Sequence, residues 1–233
     1  MSPLLIPDRR RGVEHLDAPG VDPEVVRRSM ADVARANLLF GGTRAVCAAM
    51  RAVLGELGER ATLLDVGCGM GDIAARVVRD ARERGVTLDA YGVEFAAPLL
   101  DLASARGVKV MRGDARALPL PDRSVDVAIC SQLLHHFARD DALQVLRELD
   151  RVARRRVIVS DLRRSWMAAA GLWIASFPLG FHPVSRHDGV LSVLRGYTRA
   201  ELRDTVSHAT GEAPRTDALA GFRLTATWRP SPR

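Results

Sequence analysis

Between residues 61 and 160 short apolar runs alternate with amphipathic ones, and few architectures tolerate that rhythm. Thr62–Val66 reads as a buried strand, and Ile73 to Arg84 as an amphipathic helix closed by Gly85. Leu88–Val93 is the next strand, ending at Glu94, followed by a helix over Pro98–Ala105. Val108–Met111 and Val125–Ser131 are further strands, Asp141–Arg154 a helix and Arg156–Ser160 another strand. Strands and helices alternating at this spacing predict a doubly wound parallel α/β sheet, which binds ligands at the carboxyl ends of its strands.

The flanks read differently. Residues 1–22 carry Pro3, Pro7, Pro19 and Gly20 without periodicity and are expected to form a loose arm. Asp22-Pro23-Glu24 sets an N-cap before a proline at the first helical position, and the helical pattern runs to Phe40. Gly41-Gly42 breaks it, and a second helix is expected from Thr43 to about Leu57. Residues 23–58 are therefore read as cap helices and 59–233 as the main domain. Beyond Leu162, Ser165–Phe181 is uncharged and aromatic, with Trp166, Trp173, Phe177 and Phe181, and Ser185–Gly189 reads as a polar loop. Residues 163–197 are expected to cap a substrate pocket. Thr198-Arg199-Ala200-Glu201 is a capping box opening another helix, and Phe222–Trp228 reads as the last strand. The apolar run falls short of the ~20 residues a membrane span needs, and Gly171, Pro178 and Gly180 interrupt it. No span is expected, while peripheral membrane contact stays open.

Composition narrows the partners. With 233 residues, 47% of them apolar and 27% charged, the chain suits one soluble globular domain. A net charge of +6 would favour a nucleic-acid partner. Yet Lys109 is the only lysine, and the arginines interleave with acids, as in Arg79, Arg82, Glu83 and Arg84. That is the pattern of a solvated helix face and of GC-rich codon usage, and it argues against nucleic acid. Cys47, Cys68 and Cys130 are odd in number and far apart, so no metal site or disulfide framework is expected, and a reducing, cytoplasmic setting is. Met1 to Arg11 has no apolar core after its arginines and does not read as a secretory leader.

The chemistry concentrates in Asp65-Val66-Gly67-Cys68-Gly69-Met70-Gly71-Asp72, a glycine loop between strand and helix. Glycine permits the tight turn and a close approach of backbone to ligand. A dinucleotide fingerprint wants its third glycine three residues after the second, where Asp72 stands instead. Asp65 and Asp72 flank the loop with negative charge, which repels a pyrophosphate and suits a cation. Glu94 ends the second strand at the interval where a carboxylate takes ribose hydroxyls. Asp114, in Gly113-Asp114-Ala115, follows the third strand, where an acid can accept from an adenine amino group.

These segments resemble the class I S-adenosylmethionine-dependent methyltransferases, above all the small-molecule enzymes that methylate ubiquinone and menaquinone precursors. The matching stretches are Leu64–Gly71, Val93-Glu94, Gly113–Leu120, Val125–Ala128 and Leu133-Leu134-His135-His136. The resemblance covers about residues 60 to 160 and implies a Rossmann-like seven-stranded sheet with an antiparallel last strand. It implies that Asp65, Gly67, Cys68, Gly69 and Gly71 hold the methionine part of the cofactor. It places Glu94 on the ribose, Phe95 beside the adenine, Asp114 and Ala115 on the adenine edge, and Ser131 with Gln132 toward the sulfonium.

Methyl transfer relies mostly on alignment, and a hydroxyl acceptor also needs its proton removed. His135 and His136 follow the fourth strand at the ligand edge and are candidates for that base, or else fix the loop. His187 beside Asp188 is a second candidate pair, or a turn with local hydrogen bonds. Arg163 and Arg164 could meet an acidic or phenolate group. The expected function is methyl transfer to a small, largely apolar hydroxylated acceptor such as a phenol, quinol or polyketide. The alternatives are an RNA- or protein-modifying methyltransferase and a nicotinamide-dependent oxidoreductase. Ser131-Gln132-Leu133-Leu134 lacks the Asn/Asp-Pro-Pro-aromatic run of amino-directed nucleic-acid methylases. Oligomeric state is not legible.

Overall fold

The computed structural model describes residues 6–10, 12–18 and 20–231, so the expectations for residues 1–5, Arg11 and Pro19 lie outside the described residues. Seven strands are seen among the described residues: β1 Arg60–Val66, β2 Thr87–Glu94, β3 Lys109–Arg112, β4 Val125–Ser131, β5 Ala153–Leu162, β6 Arg215–Leu219 and β7 Arg223–Trp228. Eight helices accompany them: α1 Pro23–Leu39, α2 Gly42–Arg51, α3 Asp72–Arg82, α4 Ala97–Ser104, α5 Arg139–Val152, α6 Trp166–Ser176, α7 Pro183–Arg195 and α8 Arg199–Thr210.

The strands form one sheet in the order β3-β2-β1-β4-β5-β7-β6. Every pair from β3 to β5 is parallel, while β7 runs antiparallel to both β5 and β6. The expected Rossmann-like sheet with its reversed last strand is therefore present. Strand β1 shows why its middle is apolar on both faces: Leu63 faces the layer of α2 and α3, and its neighbour Leu64 faces that of α5 and α8. A strand covered on both faces has no solvent side on which to place polar residues. Successive crossovers leave β1 and β4 in opposite directions, which opens a crevice at their carboxyl ends.

Four features depart from expectation. Strand β6 was not foreseen, because this edge strand pairs only with β7 and carries the polar Arg215, Thr216 and Asp217 in place of an apolar run. Helix α2 ends at Arg51, and Leu54–Glu56 makes a separate 3-10 turn where a continuous helix was expected. Ser185–Gly189 is not a loop but lies within α7; the His182 side chain accepts from the Val184 N–H at 3.3 Å, and Pro183 begins the helix. That is the same cap-then-proline device that opens α1 at Asp22.

The arm is the fourth departure. Its described part is not loose: Glu14 is buried, and His15–Asp17 forms a 3-10 turn against α7. The Asp188 carboxylate accepts from the His15 and Leu16 N–H groups, each at 3.0 Å, and the Arg9 Nε donates to the Arg195 carbonyl at 2.7 Å. Buried ion pairs outside any periodic segment hold this stretch, so hydrophobic patterning could not reveal it.

Helix α6 turns Ala168, Ala169 and Leu172 toward Val193 and Leu194 of α7, while Trp173, Ile174 and Phe177 face solvent. Among the described residues no single helix is long and apolar enough to cross a membrane.

Candidate active site

The crevice at the switch point continues into a cavity of about 1100 Å³. Pockets for a single small molecule run to roughly 1000 Å³, so this one has room for a cofactor and an acceptor together. The glycine loop forms its floor. Gly67 and Gly69 have φ of 70° and 53°, in the left-handed region. A Cβ on Gly67 would stand 2.7 Å from a Leu133 methyl, and one on Gly69 would meet the Met30 terminal methyl at 3.0 Å. Conformation and space both require glycine there. Met30 belongs to α1, which crosses above the loop and brings Val26, Val33 and Asn37 to the cavity.

Asp65, the penultimate residue of β1, is buried beneath the loop. Burial, then the charges of Asp72 and Glu94, push its carboxyl up to about 8. No cation stands among these influences on Asp65. Asp72 opens α3 and is also raised, first by burial; its own backbone N–H, Arg106 and a hydrogen bond from Asn37 pull the other way. Three carboxylates around one glycine loop suit a ligand with a positive charge and oppose a phosphate.

Glu94 lines the cavity at the end of β2, its two oxygens held by the Gly69 N–H at 2.9 Å and the Ala96 N–H at 2.8 Å. Each oxygen keeps a further lone pair for a hydroxyl donor. Phe95, next along, is exposed with the Arg112 guanidinium 5.9 Å from its ring centroid. Asp114 and Ala115 reach the same wall. The Asp114 carboxylate is already engaged by Arg116, whose N–H donates at 2.9 Å and whose Nη2 donates at 2.7 Å. Those hydrogen bonds outweigh desolvation and hold its pKa below the usual carboxylate value.

Cys68 and Gly71 shape the loop from behind the cavity wall, and Cys68 is a buried thiol packed against Gly92. Ser131 is buried, its hydroxyl without a partner among the described residues, and it does not line the cavity. Gln132 does line it, with φ of 53°; its N–H donates to the Ser160 carbonyl at 2.8 Å and its side-chain amide to Asn37.

The histidines separate in role. His135 is buried on the cavity wall with its Nδ1 2.6 Å from Asp161 Oδ1, while Asp161 Oδ2 accepts from the His135 N–H at 3.0 Å. Asp161 is fully buried, yet the charge and hydrogen bond of His135 and the Leu162 N–H overcome desolvation and keep its pKa low. An ionised carboxylate only accepts, so Nδ1 carries the proton that points at Asp161. The His135 Nε2 is buried without a hydrogen-bond partner among the described residues. An imidazole fixed by a carboxylate, on a residue that lines the cavity, can take a proton at its second nitrogen, which lies 3.9 Å from the Glu14 carboxylate.

His136 is placed otherwise. Burial lowers its pKa, but a 3.1 Å contact to Asp17 and the charge of Glu14 more than compensate, so it is raised. His136 is a strut for the arm, its imidazole set against Asp17. Glu14, His135 and His136 bring ligand atoms within 4.8 Å of one another, and the Arg195 guanidinium sits 3.2 Å from Glu14 as its cationic partner.

His187 and Asp188 are not brought to the cavity, contrary to their candidacy. Asp188 spends its oxygens on the arm and on the imidazoles of His15 and His187. Arg164 is buried in a pair with Glu201 at 2.8 Å and donates to the Pro7 and Gly196 carbonyls, which is a structural role. Sequence reading missed Asp161, Glu14, Asn37 and Arg195. Asp161 alone had a signal, an acid ending an apolar strand at the ligand edge.

Comparison with known proteins agrees with this geometry. Residues 64–159 match a family model described as a methyltransferase domain. A demethylmenaquinone methyltransferase of Thermus thermophilus is 35% identical over 96 residues, 39% of this chain and 41% of that protein. A fatty-acid O-methyltransferase of Mycolicibacterium smegmatis is 34% identical over 99 residues, 41% of this chain and 34% of that one. The chain spans 59%, 32% and 34% of the first three curated relatives that it matches. Among solved structures, magnesium protoporphyrin IX methyltransferase from Synechocystis with bound SAH shares the fold at a TM-score of 0.56 and 18% identity, covering 95% of this chain and 90% of that one. Residues 64–159 therefore carry a methyltransferase domain, on a fold shared with S-adenosylmethionine-dependent methyltransferases of known structure.

Proposed function

We propose that the protein transfers a methyl group from S-adenosylmethionine to a hydroxyl of a small, largely apolar acceptor, and that His135 is the base. The observation that carries this reading is the His135–Asp161 pair, 2.6 Å apart at Nδ1, on a residue that lines the cavity. The cofactor supplies an electrophilic methyl on a sulfonium. The residues fit it: Asp65 and Asp72 offer negative charge to its ammonium, Gly67 and Gly69 let its backbone contacts close, and Glu94 accepts from its ribose hydroxyls. Phe95 and Ala115 flank the adenine, and Gln132 faces the sulfonium side.

The chain's own work on the acceptor is then short. His135 Nε2 takes the hydroxyl proton as the oxygen lone pair forms its bond to the methyl carbon, and the carbon–sulfur electron pair stays on sulfur. Asp161 stabilises the resulting imidazolium. Helices α1, α6 and α7 enclose the acceptor in apolar side chains and exclude water. The similarity to a fatty-acid O-methyltransferase and a demethylmenaquinone methyltransferase supports a greasy pocket of this kind.

The test is methyl transfer from labelled cofactor to a panel of phenols, quinols and hydroxylated alkyl chains by the parent protein and His135→Ala. The variant is expected to lose about a hundredfold or more in turnover with cofactor affinity intact. Transfer to RNA but to no member of the panel would sink the reading.

A further inference from the structure

Three arginines among the described residues are almost fully buried, and two of them are satisfied. Arg164 pairs with Glu201, and Arg195 pairs with Glu14 and donates to the His135 and His136 carbonyls. Arg223 is the exception. It is the first residue of β7, 5% exposed, and lines the cavity. Among the described residues its side chain makes no ion pair or hydrogen bond, and its Nε is buried without a partner. The nearest acid in influence is Asp161, but those carboxylate oxygens are committed to His135 and to the Leu162 N–H. Burial pulls the Arg223 pKa down to about 10, which still leaves a cation at neutral pH.

A charge buried without a counter-ion is unfavourable unless something brings one. The position says what does. Arg223 pairs in register with Leu162, directly after Asp161, so it stands on the β5 side of the cavity that His135 also lines, away from the glycine loop under β1. Leu162 and Phe222 beside it are apolar cavity walls. We infer that Arg223 is the anion anchor of the acceptor subsite, and that the acceptor is an apolar-bodied hydroxy acid whose carboxylate pairs with Arg223 while its hydroxyl meets His135. A guanidinium presents a planar fork that matches a carboxylate at two points, so it fixes direction as well as charge. The methyl goes to the hydroxyl, since His135 is needed only where a proton must leave. This assignment rests on the methyl-transfer reading above and specifies its substrate class.

The experiment compares hydroxyphenyl-alkanoic acids of graded chain length with their methyl esters, using labelled cofactor and the full chain as parent, Arg223→Lys and Arg223→Met. The parent is expected to prefer acid over ester by about a hundredfold in kcat/KM, mostly through KM. In Arg223→Met that preference should vanish, with ester turnover retained and Arg223→Lys intermediate. Cofactor affinity should stay unchanged and Tm should hold or rise, because an uncompensated buried charge has been removed; a merely structural arginine would lower Tm. The inference is overturned if the parent handles esters as well as acids, or if Arg223→Met keeps the preference. It is equally overturned if that variant loses cofactor affinity, which would assign the guanidinium to the cofactor's own carboxylate, or if the product is a methyl ester. Transfer to esters and acids alike would leave the methyltransferase reading standing, whereas no transfer to any hydroxyl would remove that reading first.

Discussion

Replacing Asp65 with Asn should stabilise the ligand-free protein and weaken its cofactor binding together. The folded carboxyl binds its proton more tightly than the unfolded one, with the pKa pushed from 3.8 to about 8. The native state therefore loses stability as pH rises from about 3.8, and the loss levels off above about 8. At neutral pH the group sits some three units above its unfolded pKa, and at 1.36 kcal/mol per unit the fold forgoes roughly 4 kcal/mol. Asparagine removes that penalty but leaves an amide to satisfy, at about 1–3 kcal/mol. The net gain should be about 1–3 kcal/mol, or roughly 2–12 °C in Tm for a chain of this size.

Binding should move the other way, because the carboxylate's partner in the complex is a cation. Loss of a hydrogen bond to a charged group, ~1.5–3 kcal/mol, weakens affinity roughly 10–150-fold. In the parent, binding must also expel the Asp65 proton, so affinity should climb between about pH 6 and 8 and a proton should appear in the buffer. Differential scanning fluorimetry reads the first effect. Titration calorimetry in two buffers of different ionisation enthalpy reads the others. An Asn variant that binds as tightly as the parent, with the same pH slope, refutes the assignment of Asp65 to the cofactor's ammonium.

Other expectations follow from the same geometry. Glu94→Ala should lower cofactor affinity about 5–150-fold, the ~1–3 kcal/mol of a lost acceptor, and calorimetry that finds no change would free Glu94 from the ribose. Arg116→Ala releases the Asp114 carboxylate and should leave cofactor affinity equal or tighter if Asp114 reads the adenine; Asp114→Ala with intact affinity would make it a loop cap. His136 has a raised folded pKa, so its contribution to holding the arm is complete below its unfolded value near 6.5 and fades as pH rises through the folded one. Hydrogen exchange at residues 12–18 should accordingly quicken with pH beyond intrinsic rates, and His136→Gln should abolish that dependence. Because Arg195 already neutralises Glu14, a chelator should leave turnover unchanged, and a metal-dependent rate would reverse that view.

How much of this was legible depended on where each interaction lives. The sheet was readable because a strand buried on both faces writes a mostly apolar run, as Thr62–Val66 and Val125–Ser131 do. The glycine loop was readable because glycines with left-handed φ and flanking acids are close in sequence. The edge strand β6 and the docked arm were not, since one carries charge on its face and the other is held by pairs more than 170 residues apart, such as His15–Asp188. His187-Asp188 misled for the converse reason: neighbours in sequence on α7, they serve the arm rather than the cavity.

The acceptor side shows what topology adds to sequence. Ser131 pairs with Ser160 across adjacent parallel strands, so the residues that follow each must emerge at one edge. His135 and Asp161, 26 positions apart, meet there because β4 and β5 end together. Arg223 joins from the reversed strand, whose first residue faces the last of β5. A chain cannot announce such a trio by spacing, because its members come from the end of one strand, the loop after another and the start of a third. Arg163 and Arg164 drew the expectation of an anion-binding arginine to this edge, whereas the inference falls on Arg223. The residue differs: Arg164 is consumed by Glu201, Arg163 stacks 5.0 Å from the Phe222 ring, and Arg223 is the cation left facing the cavity without a partner among the described residues. Burial with satisfied hydrogen bonds marks a structural arginine, and burial without them marks one that waits for a ligand.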